Sequence, residues 1–579
     1  MNTQNHEMRS NPRSGMNAAV GLAMLLSLIF ATGMVLDPMF PRHVTPASAS
    51  DEVFSGERAM VHLPIIAREP HPQGSSAQAR VRDYLVEQLT TLGLEIETQR
   101  SGSLENVVAR LHGSEPTGAI VVLAHYDSVK TCPGAADNAS GVAALLETMR
   151  ALSAGSVPRN DIIALFDDGE ELPDPYSGAK LFVSKHPWMG DVRVAISLDT
   201  AVGGPITTNE TGPNNGWLVQ AMARAYTGGV WTSFSGGGNY DYTPFRDAGI
   251  QGLALEDNYP FRQQHTRFDL PEIVNPGSVQ QMGEQTLAIV RELENLDLSN
   301  PWAEHETWFS VPLLGLIHYP QAWALPLAVA AGILLALALG LGLWSRLVSW
   351  RGLLVGFVAA MITAAAAGFV TGVIFEHVPG LAGWNTRSWS EWPEVIPPNG
   401  WLYFVGLGLL MLVLVLIVYR IVRRWCEIPE LCLAILLPFC VASVALSVAE
   451  PRTAYMPTWI LLVGSLAWIA AALANKARNL WFTDLAASLE ALGFLVLLFP
   501  FLPGVFMSDG FKSITILAAF WVLILFATLP VVEGAVTRLR SSSQSSTSSL
   551  MSSMNMRAAE PMCDAEDSND DARLFSDTV

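Results

Sequence analysis

Charge and cysteine are both scarce in this chain, and each scarcity excludes something. Charged residues fill 15% of the 579 positions, against about 25% in an ordinary soluble protein. Basic residues are the scarcer sign, 34 against 53 acidic, for a formal charge of -19. A nucleic-acid binder would carry a basic surface, so that class is set aside. Cysteine occurs five times, and only Cys132 falls in the segment 50–305. That segment therefore has no internal disulfide and must rely on its core, which about 240 residues readily supply. Cys426 and Cys432 lack neighbours that would complete a metal set and read as helix filler. No Gly-rich phosphate loop precedes a helix, so nucleotide chemistry has little support. A serine hydrolase would place its nucleophile in a Gly-x-Ser-x-Gly elbow, and the soluble segment has none.

Long apolar runs are what the chain has in excess. Residues 16–36 form one, behind a leader (1–15) carrying Arg9 and Arg13. The run reads as an uncleaved signal anchor; a signal peptide cut near Ala47-Ser48-Ala49 is the alternative. Seven more spans are expected within 322–532, near 322–344, 353–375, 401–419, 431–449, 455–474, 486–507 and 514–532. Each approaches the ~20 residues that cross the hydrocarbon layer as a helix. With the N-terminus in the cytoplasm, Arg346, Arg351, Arg420, Arg423, Arg424, Lys476, Arg478, Arg538 and Arg540 all fall on the cytoplasmic side. Only Arg387, Arg452 and Lys512 remain in the short loops opposite, as the positive-inside rule requires. Residues 50–305 then lie outside the cytoplasm. The Trp-rich loop 384–401 reads as interfacial. Glu490 is read as lying at the interface near a helix start, rather than as a functional intramembrane acid. Residues 541–579, Ser-rich and then acidic, read as a disordered cytoplasmic tail.

The soluble segment alternates two periodicities. Apolar residues recur at helical spacing over 75–93, 139–152, 177–187, 215–227 and 278–294. Strand-like runs occupy 106–111, 119–124, 161–166, 193–198 and, more weakly, 250–255. Such alternation predicts a three-layer αβα sandwich around a mixed, mostly parallel sheet, followed by an α-helical multispan domain. Sheets of this type gather binding groups at the carboxyl ends of their strands.

Candidate ligands stand at those ends. His125 and Asp127 follow 119–124, Glu170 and Glu171 follow 161–166, and Asp199 closes 193–198; Asp137 and His265 lie in turns. Extended backbone would put His125 and Asp127 on one side, so that Asp127 could accept a hydrogen bond from the second ring nitrogen of His125, or orient it through a local turn. Asp137 sits in Ala135-Ala136-Asp137-Asn138-Ala139-Ser140-Gly141, where small neighbours let a carboxylate approach two cations. In the bland reading of that stretch, Asn138 or Ser140 caps the following helix. Asp167-Asp168-Gly169-Glu170-Glu171 packs four acids behind a buried-looking strand, which is costly unless cations neutralise them. Glu171 could bind metal while Glu170 deprotonates a metal-bound water. His265 alone reads as structural; beside the other four it reads as a ligand.

In this order, His125-Tyr126-Asp127-Ser128-Val129, Gly134-Ala135-Ala136-Asp137-Asn138-Ala139-Ser140-Gly141, Asp168-Gly169-Glu170-Glu171, Leu198-Asp199 and His265-Thr266 resemble the M28 family of zinc peptidases. The resemblance covers roughly 75–295, and the multispan half is similar to the membrane-bound subgroup of the endoplasmic reticulum and vacuole. It implies a mixed sheet of about eight strands and two zinc ions per chain. One zinc would take His125 and Asp199, the other Glu171 and His265, with Asp137 bridging. Glu170 would be the general base and Asp127 the residue orienting His125. A metal-activated hydroxide would cleave a peptide substrate, most plausibly removing N-terminal residues. Two stretches depart from the family. Leu172-Pro173-Asp174-Pro175-Tyr176-Ser177-Gly178 stands where relatives have a Gly-rich link, and Asn239-Tyr240-Asp241-Tyr242-Thr243-Pro244-Phe245 changes the first position of a loop that either lines the substrate site or is structural.

Other classes stay open. A single-zinc glutaminyl cyclase would replace the Asn138-Ala139-Ser140-Gly141 context, which this chain keeps. A catalytically inactive receptor or scaffold on the same fold, or a transporter with a peptidase-like domain, are the alternatives. The expected partners are peptide and lipid bilayer, with oligomeric state open. The expected compartment is a bacterial inner membrane with a periplasmic catalytic domain; the alternative is a eukaryotic endomembrane with a lumenal one.

Overall fold

The computed structural model describes residues 12–229, 231–233, 240–257, 263–377, 400–476, 481–509 and 513–558. Asn239, most of the Trp-rich loop, Arg387, Arg478, Lys512 and Cys563 lie outside them.

Seven strands form the central sheet: β1 (Glu95–Ser101), β2 (Leu104–Leu111), β3 (Ala119–His125), β4 (Asp161–Asp167), β5 (Val192–Leu198), β6 (Ile206–Thr211) and β7 (Gln251–Asp257), in the order β1-β2-β4-β3-β5-β7-β6. The β4-β3-β5-β7 centre is parallel. Its strands are apolar throughout because helices cover both faces. Alternate residues show this: Ile120, Val122 and Ala124 enter one core with Ile162, Ala164 and Phe166, while Val121 and Leu123 enter the other with Ile163 and Leu165. Burying each large side chain contributes about 1.5–3 kcal/mol.

The sheet is mixed rather than mostly parallel: β1–β2, β2–β4 and β6–β7 are antiparallel, against parallel β3–β4, β3–β5 and β5–β7. A tight turn forces this at one edge, since Ser101 pairs with Leu104 and so short a link permits only a hairpin. The edge strands β1 and β6 are polar, with the sequences Glu-Ile-Glu-Thr-Gln-Arg-Ser and Ile-Thr-Thr-Asn-Glu-Thr, and so give no apolar signal.

The longer helices are α1 (Pro12–Leu36), α2 (Ser76–Thr91), α3 (Ser140–Ser153), α4 (Ser177–Lys185), α5 (Gly216–Arg224) and α6 (Pro276–Leu293). Val81 and Leu85 of α2, Val142 and Leu145 of α3 and Met282 and Ile289 of α6 line one core; Ala179 and Phe182 of α4 line the other. A hairpin, β8 (Glu306–Val311) and β9 (Gly315–Pro320), then leads into α7 (Ala324–Trp344).

Next come α8 (Trp350–His377), α9 (Gly400–Val422), α10 (Ile428–Ala449), α11 (Tyr455–Lys476), α12 (Trp481–Gly493) and α13 (Ile514–Ala558). Among the described residues eight helices are long and apolar enough to cross a membrane, from Met16–Met39 to Ile514–Gln544. Their internal backbone bonding is what lipid demands. The junctions bearing basic residues meet at one end. Ser349 N–H and Oγ donate to Glu430 at 2.8 and 2.7 Å, and Asn475 Nδ2 donates to Ser345 O at 3.2 Å. At the other end of α11, Tyr455 OH shares a hydrogen bond with Thr232 Oγ1 at 2.6 Å.

One expectation is corrected. Glu490 lies ten residues into the span Trp481–Phe506 and is 1% exposed. It is held inside the bundle by Trp468 Nε1, which donates to Oε2 at 2.5 Å. Helix α13 runs as far as Ala558, and residues 559–579 of the expected tail lie outside the described residues. The chain divides into two compact units, Met1–Leu26 with Val531–Val579, and Ser27–Pro530, which holds the sheet and the candidate ligands.

Candidate metal centre

His125 ends β3, and its ring is fully buried. Its Nε2 has no hydrogen-bond partner and lies 3.3 Å from Asp137 Oδ1 and 3.9 Å from Asp199 Oδ1. On the other side of Asp137, Oδ2 lies 3.2 Å from His265 Nε2, which is also 3.2 Å from Glu171 Oε1. Two triads therefore share Asp137: His125, Asp137 and Asp199, and Asp137, Glu171 and His265, each with its ligand atoms within 4.8 Å of one another.

The turn that presents Asp137 is built by its neighbours. Asn138 Oδ1 accepts the N–H of Gly141 at 3.1 Å while its Nδ2 donates to Leu198 O at 2.9 Å. The helix cap thus also ties this turn to the end of β5. A Cβ on Gly141 would meet Asn138 Oδ1 at 2.3 Å and Leu198 O at 2.9 Å, so the position has no room for a side chain. Ser140 Oγ donates to Ala136 O at 2.7 Å and accepts from Ala201 N–H at 2.9 Å.

Asp127 meets His125 through the backbone of the local turn. Its Oδ1 is 3.6 Å from His125 Nδ1, beyond hydrogen-bond range, and the nearer partner of that nitrogen is the Asp127 carbonyl at 3.3 Å. The carboxylate instead accepts the N–H groups of Gly169, Glu170 and Glu171 at 2.9, 3.2 and 3.4 Å. It grips the turn that carries Glu170 and Glu171.

Of the four acids in Asp167-Asp168-Gly169-Glu170-Glu171, Asp168 is satisfied within the protein. Asp168 accepts from Gln78 Nε2 at 2.5 Å and from Glu105 N–H at 2.9 Å. Burial, with Asp127 nearby, pushes its pKa up to about 7. Asp167 faces the buried Asp241, and burial followed by the charge of Asp167 holds the Asp241 carboxyl well above the usual range. Neither oxygen of Asp167 has a hydrogen-bond partner.

Glu170 is different. Burial, reinforced by Glu171 and Asp137 against the pull of His125, raises its pKa well above normal. Burial and the charge of Asp137 push Asp199 up to about 6. Hydrogen bonds to Asp137 and Glu171 raise His265 to about 11. Burial opposes ionisation of Asp137, but His125 and His265 hold its carboxyl below the usual range. Four carboxylates gather here on two imidazoles, of which His125 is buried and His265 half exposed, and such a surplus of negative charge calls for compensation.

Imidazole and carboxylate donors fit zinc, and the orphaned Nε2 of His125 is the lone pair such an ion would take. Three protein ligands per triad leave a coordination position for water.

Two contributors escaped the reading of the sequence. Asp269 accepts the N–H of Ala136 at 2.7 Å and of Asp137 at 3.3 Å, and Gln264 Nε2 donates to Asp137 Oδ2 at 2.9 Å. Both flank His265, and the signal was the short spacing from that residue.

Residues 106–290 match the sequence model of peptidase family M28. The chain carries an M28 peptidase domain. The chain is 28% identical over 354 residues to endoplasmic reticulum metallopeptidase 1 of Rattus norvegicus, covering 52% of this chain and 38% of that protein. A vacuolar membrane protease of Candida albicans is 31% identical over 258 residues, covering 41% of this chain and 30% of that one. The chain thus spans about a third of the length of these curated relatives. Among solved structures, a zinc aminopeptidase from Bacillus subtilis covers 43% of this chain and 97% of its own at 15% identity and a TM-score of 0.39. A glutaminyl cyclase from Porphyromonas gingivalis covers 42% of this chain and 100% of its own at 20% identity and a TM-score of 0.36.

Proposed function

We propose that residues 50–305 form a di-zinc metallopeptidase domain, held beside the membrane by the signal anchor and the multispan region (322–532), that removes N-terminal residues from peptides. The two triads sharing Asp137, with Glu170 alongside, carry this reading. His125 and Asp199 would hold one zinc, Glu171 and His265 the other, and Asp137 both. When bound, the ions would supply Lewis acidity toward the scissile carbonyl and lower the pKa of water.

The protein's own groups do the rest. Glu170, whose carboxyl is raised by burial, can take the proton of the attacking water and return it to the leaving amine. Asp127 keeps Glu170 in place through three backbone N–H groups. The surplus of carboxylates around the site, including Asp167 and Asp241, favours the ammonium of a peptide N-terminus over a C-terminal carboxylate. The names of the relatives point to an endomembrane with a lumenal domain; the bacterial inner membrane remains the alternative.

A second reading is a transporter with a peptidase-like domain, and Glu490 favours it, since a carboxyl buried inside a helical bundle is a default functional site. Zinc content of the purified full chain, followed by a peptide library scored for N-terminal trimming, tests the proposal. The expected result is two zinc ions and single-residue trimming. A folded protein that binds no zinc and trims nothing would point to the receptor or transporter reading.

A further inference from the structure

The hairpin of β8 and β9 ends in a turn that water does not favour. Pro312, Leu313 and Leu314 link the paired residues Val311 and Gly315, and Leu314 N–H donates to Val311 O at 3.0 Å. Turns ordinarily carry Gly, Asn, Asp or Ser beside proline. Here Leu313 takes φ 68°, a left-handed backbone that a residue with a bulky side chain rarely adopts, and it is 79% exposed. Leu314 beside it is 72% exposed. Large apolar side chains grouped at a loop tip mark a surface that meets something apolar.

The hairpin's neighbours are membrane helices. At its open end Glu306 pairs with Pro320, and the next residue, Gln321, begins a span. Midway, the Phe309 ring stacks on Tyr455, the first residue of the span Tyr455–Asn475, with centroids 4.4 Å apart and planes 6° apart. At the tip, Pro312 and Leu313 line a cavity of about 180 Å³ with Met34 and Val35 of the span Met16–Met39 and Val496 and Pro500 of the span Trp481–Phe506. The hairpin therefore meets four spans in turn along its length.

Depth and chemistry say what the cavity fits. Met34 lies five residues and Val496 ten residues before the ends of their spans. Along a helix those distances are about 8 and 15 Å, which is the level of acyl chains rather than head groups. No charged side chain among the described residues lines the cavity. Its polar side chains, Tyr226 and Ser310, are satisfied within the protein: Tyr226 OH donates to Gly229 O at 2.7 Å, and Ser310 Oγ accepts Trp231 N–H at 3.0 Å. A dry apolar cavity of about 150 Å³ holds a six-carbon ring, so this one takes a stretch of a single acyl chain.

We propose that the tip of the β8–β9 hairpin is a lipid-binding element. Leu313 and Leu314 enter the bilayer, and one acyl chain of a bilayer phospholipid occupies the cavity between Pro312, Met34 and Val496. Continuity with the membrane spans selects this occupant over a soluble peptide or a second copy of the chain. Lipid then covers the apolar surface that the turn leaves bare. The inference is independent of the peptidase reading.

The full chain in phosphatidylcholine nanodiscs provides two tests. In the first, Leu313→Cys carries an environment-sensitive fluorophore, with Cys440 and Cys563 replaced by alanine. Lipid bearing a nitroxide on its acyl chain should quench the fluorophore about twofold or more while aqueous iodide changes it by less than about a tenth, as for a group buried about 5–10 Å into the interface. Quenching by iodide and not by the nitroxide lipid would overturn insertion of the tip. In the second, native mass spectrometry counts the phospholipids that stay with the protein. The wild type should keep at least one more than Val496→Trp, whose indole fills the cavity, at an equal unfolding midpoint. Met34→Trp fills it from the facing helix should Val496→Trp not fold, and the fluorophore decides alone if neither folds. Equal retention in wild type and folded variant, or a peptide or second copy held in place of lipid, would overturn the acyl-chain site.

Discussion

The carboxylate of Asp269 accepts the backbone N–H of Asp137 at 3.3 Å and so ties the segment carrying His265 to the shared ligand of both triads. The same carboxylate takes Ala136 N–H at 2.7 Å, so the turn is held at two successive amides. Replacing one oxygen by an amide leaves a donor facing a donor. Asp269→Asn should therefore weaken zinc binding about tenfold or more, measured as metal retained at buffered free zinc, with the fold intact by circular dichroism.

Asp127 acts on the other segment. Because its carboxylate accepts three consecutive N–H groups from Gly169 to Glu171, Asp127→Asn should lower kcat about 10- to 100-fold. Steady-state kinetics with a chromogenic amino-acid amide would show it. A variant that keeps kcat but loses zinc would instead assign Asp127 to His125.

Much of this was legible in the sequence, for identifiable reasons. The central strands are buried on both faces and read as plain apolar runs, so the positions of His125, Glu171 and Asp199 at their ends follow directly. The edge strands around Glu97 and Thr208 were missed because solvent and neighbours let them be polar. Asp269 and Gln264 were passed over because only the candidate ligand between them, His265, was judged. Glu490 misled for the opposite reason: a lone acid in an apolar run reads as a boundary until the indole of Trp468 is found beside it.

The sheet leaves no room at Gly252. A Cβ there would meet Ala195 O at 2.0 Å and Tyr242 Cε2 at 2.4 Å. The first contact is backbone in a paired strand and cannot move aside. Gly252→Ala should cost about 1–3 kcal/mol, read as a lower unfolding midpoint of the M28 domain.

Acid sensitivity should arise partly at His186. Burial, with Arg110 nearby, pushes its pKa from 6.5 down to about 4. The folded state thus binds fewer protons than the unfolded chain between those values, and stability present above pH 6.5 is lost as pH falls toward 4. His186→Gln should shrink the drop in unfolding midpoint between pH 7 and pH 5. An unchanged drop would assign the sensitivity to other groups.

The most direct measurement of the central claim compares wild type with Glu170→Gln, each assayed for zinc per chain and for peptide trimming. Two zinc ions in both proteins, with trimming by the wild type and a loss of about a thousandfold in the variant, is the predicted result. Equal activity in the two proteins, or a zinc-loaded wild type that trims nothing, would contradict it.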